Sequence, residues 1–210
     1  MTRGNIVAIA AFALVCFIAG AGIAAKVTAS SVTQTADTRT SREARILAWI
    51  VERNPEATIK DFSTFPTILL GESERAGIDY RLILAMADKE SRMNPRAVGQ
   101  HGEVGLLQIL PSTAALVAKR LDDKSYKPPL SARDKKEGML YSSLGSLGDP
   151  RVNVRYGIEY LRWQIEQFGV TPTAIRAYNR NPDRATEFRP QDRYAEDVAL
   201  SYLVLVQRFN

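Results

Sequence analysis

The sequence predicts a mainly α domain, and three observations carry that expectation. Apolar residues recur at helical spacing through most of the chain, as in Ile46, Leu47, Ile50 and Val51 and again in Val152, Val154, Ile158, Leu161, Ile165 and Phe168. Helix punctuation falls between these runs, at Asn54-Pro55, Gly77, Asn94-Pro95, Asp149-Pro150, Gly169 and Thr171-Pro172. Strand-like alternation is nowhere sustained. Helices with one apolar stripe must bury it against each other, so the expected architecture is helix on helix.

The 210 residues are enough for one well-filled core once a tail is set aside. A net charge of +5 suits an anionic partner such as a nucleic acid, a membrane surface or an anionic cell-wall polymer, and charge alone does not choose among them. Cys16 and His101 are the one cysteine and the one histidine. They exclude a Cys/His metal site, a Cys-His pair within the domain and an internal disulfide. Catalysis must then use carboxylates, hydroxyls, amides or tyrosine, and no cofactor or metal is expected.

Asn5 to Ala25 carries no charge and lies between Arg3 and Lys26, long enough to span a bilayer as a helix. A cleaved signal has an apolar core of roughly 7 to 15 residues, so the length favours a retained signal anchor over residues 1–27. A signal peptide remains the alternative, because Val27-Thr28-Ala29 offers small residues for cleavage after Ala29. Either way the body of the chain is exported, with Arg3 on the cytoplasmic side. Cys16 is read as a lipid-facing or packing residue rather than an acylation site. Residues 28–40 are Ser/Thr-rich without an apolar period and read as a flexible linker. The domain then occupies 41–210.

Within it, Ser41 is the expected cap of a first helix ending at Asn54-Pro55. A short helix near Glu56 to Phe62 follows, then one opened by Pro66 and closed by Gly77. Asp79 caps the next, in which Leu82, Met86 and Glu90 fall at successive fourth positions on one face. Glu90 therefore projects from an apolar side, where burial raises a carboxyl's pKa, although most glutamates at helix ends are solvated. Gly99, Gly102 and Gly105 make a permissive loop in which His101 is read as solvated. Ser112 is the expected cap of the helix that follows. Lys119 to Gly148, with Pro128-Pro129 and the charged cluster Arg133 to Glu137, reads as a solvated surface insertion. Helices from Asp149 to Gly169, from Thr171-Pro172 through Ile175 to Tyr178, and from Tyr194 to Phe209 complete the domain.

Four blocks then stand in order: Glu90-Ser91 with Asn94-Pro95 and Ala97; Gly105-Leu106-Leu107-Gln108-Ile109-Leu110-Pro111 with Thr113-Ala114; Asp149-Pro150 with Asn153, Gly157 and Tyr160-Leu161; and Ala177-Tyr178-Asn179. Over residues 65–209 the chain resembles the catalytic domain of soluble lytic transglycosylases, in the goose-type lysozyme-like superfamily. The resemblance implies a lysozyme-like helical domain preceded by the N-terminal transmembrane or signal helix. It implies an enzyme that cuts the β-1,4 bond between N-acetylmuramic acid and N-acetylglucosamine of peptidoglycan without water, leaving 1,6-anhydromuramoyl ends. Its partners would be peptidoglycan glycan strands, the membrane through the N-terminal helix and a cell-envelope machine, with no nucleic acid. Its place would be the inner membrane with the domain in the periplasm, or the periplasm after cleavage.

By the same resemblance Glu90 is the catalytic acid and then base. Ser91 and Gln108 line the cleft and hydrogen-bond substrate, Gly105 lets the loop approach the sugar, and Leu110 forms a wall of the sugar site. Tyr178 orients the acid or the substrate, Asn179 mainly braces its helix, and Tyr194 is a second cleft tyrosine. Asn153 and Gly157 are read as helix-packing positions. Leu110 departs from a usual Met, Glu103 from a usually small residue, and Arg180 and Asn181 from a small residue and Gly. A hydrolytic muramidase on the same fold remains open, with Asp149 or Glu187 as its second carboxylate, as does a non-catalytic glycan-binding or assembly module.

Overall fold

A computed structural model describes residues 29–57, 59–131, 141–169, 172–179 and 193–210. Helix α1 spans Ala29–Arg53. It starts well before Ser41, so residues 29–40 are helical instead of forming the expected flexible linker, and Ser41 lies inside the helix. Nothing from Ala29 to Arg53 stops a helix, because the stretch has neither Gly nor Pro. Its C-terminal half is anchored by Ile46, Trp49 and Ile50, which are buried in the core. Each such side chain stabilises the fold by about 1.5–3 kcal/mol.

Helix α2 is Ile59–Phe62, and α3 is Phe65–Ala76 with Pro66 in its first turn. Gly77 closes α3 in the left-handed conformation, at φ 66°, as expected. Helix α4, Tyr80–Ser91, is capped by Asp79, whose side chain accepts from the Arg81 N–H at 2.9 Å. Asp79 also accepts from the Tyr202 hydroxyl at 2.9 Å. Helix α5 is Pro111–Arg120, with Leu110 rather than Ser112 at the cap position and no side-chain cap. Proline lacks an N–H and is pre-set for the first helical position, so the helix begins there and Ser112 falls within its first turn.

Two short antiparallel strands follow, β1 Leu130–Ser131 and β2 Tyr141–Ser143, with Leu130 opposite Ser143. A 3₁₀ turn at Gly145–Gly148 leads to Asp149, which caps α6, Pro150–Phe168, by accepting from Arg151 N–H at 2.9 Å. The segment read as a solvated insertion is tied to the neighbouring loop where it is described. The Tyr141 hydroxyl donates to Gly102 O at 2.9 Å and the Tyr126 hydroxyl to Pro111 O at 3.4 Å. The charged cluster 133–137 lies outside the described residues. Helices α7, Pro172–Asn179, and α8, Tyr194–Arg208, complete the order.

Helix α4 packs against α8, α3 and α7 pack on α6, α7 also meets α8, and α1 leans on α3. Leu69, Ile83, Leu84, Met86, Leu106, Leu107, Tyr156, Ile158 and Leu161 fill the space between them. Among the described residues no helix is long and apolar enough to cross a membrane, and the apolar segment 5–25 lies outside them.

Candidate active site

The site begins at the last turn of α4. Met86 is fully buried and Leu82 is packed against the core, so the face that carries Glu90 is the inward one. Helix α4 then ends on two consecutive left-handed residues, Arg92 at φ 51° and Met93 at φ 60°. Side chains resist that conformation by about 1–2 kcal/mol per residue. Met93 is fully buried, and that burial offsets part of the cost. Asn94 then makes a local turn by accepting from Arg96 N–H at 2.9 Å. Ser91, between Glu90 and the turn, donates its hydroxyl to Ala87 O at 3.1 Å.

The loop that follows folds on itself through backbone pairing of Val98 with Val104 and Val104 with Ile109. Gly105 has φ 82°, and a Cβ there would come within 2.2 Å of the Asn153 amide nitrogen and 2.7 Å of Leu147 O. Its glycine is required from the inside, by Asn153, in addition to any approach to a ligand. Gln108 is left-handed at φ 45° and donates its side-chain amide to Gly105 O at 2.8 Å and Ala97 O at 3.3 Å. Its Nε2 holds the loop, and its amide oxygen lies toward Gly99. Leu110 is exposed at the end of the same loop.

Helix α7 brings Tyr178 and Asn179. The Tyr178 hydroxyl is buried and donates to Leu107 O at 3.0 Å. Its ring lies 5.1 Å from that of Tyr160. Asn179 is exposed at the helix end, and its side chain lies close enough to act on the Glu90 carboxyl. Helix α8 brings Tyr194, whose buried hydroxyl completes no standard-geometry hydrogen bond. The group close enough to be its partner is the Glu90 carboxylate, with which its titration is linked.

Burial is the largest influence on Glu90 and raises its pKa above the usual carboxyl range. The polar side chains of Tyr194 and Asn179 work against it, the negative charge of Glu103 adds to it, and Lys89 opposes it. Lys89 is turned away to Asp197, 2.6 Å distant. Glu159 is the instructive contrast. It is fully buried on α6, but hydrogen bonds from Arg120 and Arg162, with Arg75 at 3.5 Å, overcome desolvation and hold it below the usual range. One buried glutamate is neutralised by cations and is structural. The other, Glu90, forms no ion pair among the described residues, and burial raises its pKa instead.

Tyr178 and Tyr194 are both pushed well above the usual phenol range, first by burial and next by the charge of Glu90. They stay protonated, and therefore able to donate, at neutral pH. The structure thus brings Glu90, Tyr178, Asn179 and Tyr194 together, with Gly105, Gln108 and Leu110 on the adjoining loop. Glu103 was marked in the sequence only as a departure from the family pattern. Its neighbourhood with Glu90 depends on the loop closing, which no spacing encodes. Asp149 is occupied by Arg151 and the cap of α6, and Glu187 lies outside the described residues. No cluster of three or more potential metal-binding side chains occurs among the described residues.

A helical domain with one desolvated carboxyl at the end of a buried helix defines a lysozyme-like class of site. The chain belongs to the transglycosylase SLT domain family, whose model matches residues 69–197. It is 32% identical over 102 residues to the soluble lytic murein transglycosylase of Escherichia coli, a match covering 48% of this chain and 14% of that protein. It is 34% identical over 116 residues to the membrane-bound lytic murein transglycosylase C of Mannheimia succiniciproducens, covering 51% of this chain and 28% of that one. The chain thus matches only a small part of the length of these relatives. The crystal structure of the 70 kDa soluble lytic transglycosylase of Escherichia coli superposes with a TM-score of 0.55 at 25% identity, over 82% of this chain and 28% of that one. An inactive mutant of the lytic transglycosylase Slt from Pseudomonas aeruginosa gives a TM-score of 0.52 at 25% identity, over 69% and 24% of the two chains.

Proposed function

We propose that the chain is a peptidoglycan lytic transglycosylase that cleaves the β-1,4 bond between N-acetylmuramic acid and N-acetylglucosamine without water. The observation that carries the reading is Glu90: a carboxyl whose pKa is raised by burial, with no ion pair to it among the described residues and with Tyr194 and Asn179 close by. Protonated, it donates to the glycosidic oxygen as the bond from that oxygen to the muramoyl anomeric carbon breaks. The resulting carboxylate then takes the proton of the muramoyl 6-hydroxyl while O6 bonds to the anomeric carbon. The glycan leaves with a 1,6-anhydro end, and Glu90 regains its proton. Tyr194 and Asn179 stabilise the intermediate carboxylate, and burial favours its return to the acid. Ser91, Gly105, Gln108, Leu110 and Tyr178 line or brace the sugar site.

A hydrolytic muramidase is the second reading, favoured by one observation: Glu103 is a second carboxylate whose charge acts on Glu90. Mass spectrometry of digested sacculi separates the two, with anhydromuramoyl ends expected and reducing ends overturning the first reading. Glu90→Gln should abolish turnover with the fold intact. We further propose, from sequence alone, that the 5–25 segment anchors the domain to the inner membrane with residues 41–210 in the periplasm. Relatives named as soluble and as membrane-bound both occur. Fractionation of the full chain with and without alkaline carbonate extraction tests this.

A further inference from the structure

The residues that grip the end of the catalytic helix come from α1, before the start of the family match at residue 69. Arg53, the last residue of α1, makes a two-point bond to Asp88, with Nε to Oδ1 and Nη2 to Oδ2 both at 2.8 Å. Asn54, the next residue, donates its side-chain amide to Met93 O at 3.0 Å. Asn54 is itself fixed: its N–H donates to Ile50 O at 2.8 Å, its side-chain oxygen accepts from Glu56 N–H at 3.2 Å, and its carbonyl accepts from Ala57 N–H at 2.9 Å. Two adjacent residues therefore hold α4 two positions before Glu90 and three positions after it. The second grip falls on the left-handed pair Arg92–Met93, where the backbone has least reason of its own to stay.

We infer that Arg53 and Asn54 are positioning residues for Glu90, setting the direction of its carboxyl by clamping both sides of the last turn of α4. The inference rests on the reading of Glu90 as the acid. A reacting carboxyl must be held within a fraction of an ångström, and the last turn of a helix frays unless something fixes it. The bidentate pair resists rotation of the helix about its axis, because both guanidinium nitrogens would have to leave the carboxylate together. The amide-to-carbonyl bond fixes where the chain leaves the helix. Losing either lets Glu90 swing toward solvent while the buried helices keep their packing.

The test uses the full chain with Asn54→Ala, Arg53→Ala and the double variant Asn54→Ala/Arg92→Gly. Glycine enters the left-handed region freely, so Arg92→Gly should restore the turn that Asn54 no longer holds. For Asn54→Ala, kcat on purified sacculi should fall about 10-fold with KM unchanged, and the double variant should regain most of the loss. A second readout does not depend on turnover: the titration of Glu90 followed by carbon NMR of labelled carboxyl groups. Its midpoint should move down toward the ordinary carboxyl range in Asn54→Ala, since a swung-out carboxyl is better solvated. Lys89, Glu103, Tyr178, Asn179 and Tyr194, the other groups near Glu90, are untouched by the substitution. Unchanged kcat, or a loss that tracks the unfolded fraction with the Glu90 midpoint fixed, would overturn the inference. If the wild-type chain releases no anhydromuramoyl products, the proposed function falls, and the titration alone still decides the clamp.

Discussion

The side-chain oxygen of Asn153 accepts the backbone N–H of Leu107 at 2.8 Å, joining the buried helix α6 to the loop beside Glu90. The same amide donates to Val104 O at 2.9 Å and Leu147 O at 3.1 Å, so one side chain with no exposed surface satisfies three backbone groups. Asn153→Leu takes this partner from the Leu107 N–H and Leu147 O, while Val104 O keeps the Ile109 N–H at 3.1 Å, and should cost about 2–3 kcal/mol in urea unfolding. Asn153→Asp should cost at least as much at pH 7, because a carboxylate accepts from Leu107 but cannot donate to either carbonyl. A loss below about 1 kcal/mol in both would remove Asn153 as the loop's anchor.

Gly157 lies on α6 one turn beyond Asn153, and a Cβ there would stand 2.2 Å from Leu107 Cδ1 and 3.1 Å from the Tyr178 hydroxyl. Gly157→Ala should therefore displace both the loop and Tyr178, lowering stability by about 1–3 kcal/mol through overpacking. Tyr178→Phe removes only the bond to Leu107 O and should cost about 1 kcal/mol. Thermal melts of both variants beside turnover on sacculi check the ordering, and equal melting points would contradict it.

The like charge of Glu103 raises the pKa of Glu90. Glu103→Gln removes that push, so Glu90 should lose its proton at lower pH. Because the proposed reaction starts from protonated Glu90, the alkaline limb of kcat/KM should move down in pH. An alkaline limb that stays put or moves up would show that Glu103 does not act on the acid.

The raised pKa of Glu90 also links the site to stability. The folded state binds the proton more tightly than the unfolded chain, so stability falls as pH rises from the unfolded carboxyl pKa through the folded one. Glu90→Gln keeps a neutral side chain at all pH values. It should melt higher than wild type at pH 7, with the gain vanishing near pH 3, where wild-type Glu90 is protonated in both states. A gain that is the same at both pH values would mean that desolvation of the carboxylate is not its origin.

The helix starts and stops with local causes were legible in the sequence. Asp79 and Asp149 cap α4 and α6, Gly77 closes α3, and the spacing of Leu82, Met86 and Glu90 identified the inward face. Residues 29–40 were misread because Ser/Thr composition argues for a linker. Their helix instead continues back from turns anchored by Ile46, Trp49 and Ile50. Ser112 lost the cap position to the proline before it. At the site, the inward facing of Glu90 was legible, while the nearness of Asn179 and the charge of Glu103 arise only when α7 and the loop close around α4. Local spacing carries no information about such closure.

Tyr141 and Tyr126 bond the carbonyls of Gly102 and Pro111, the two ends of the loop that carries Gly105 and Gln108. The excursion between α5 and α6 is in this sense a cassette with two fixed feet. A change at either foot would therefore be felt at Gly105 and Gln108, through the carbonyls of Gly102 and Pro111.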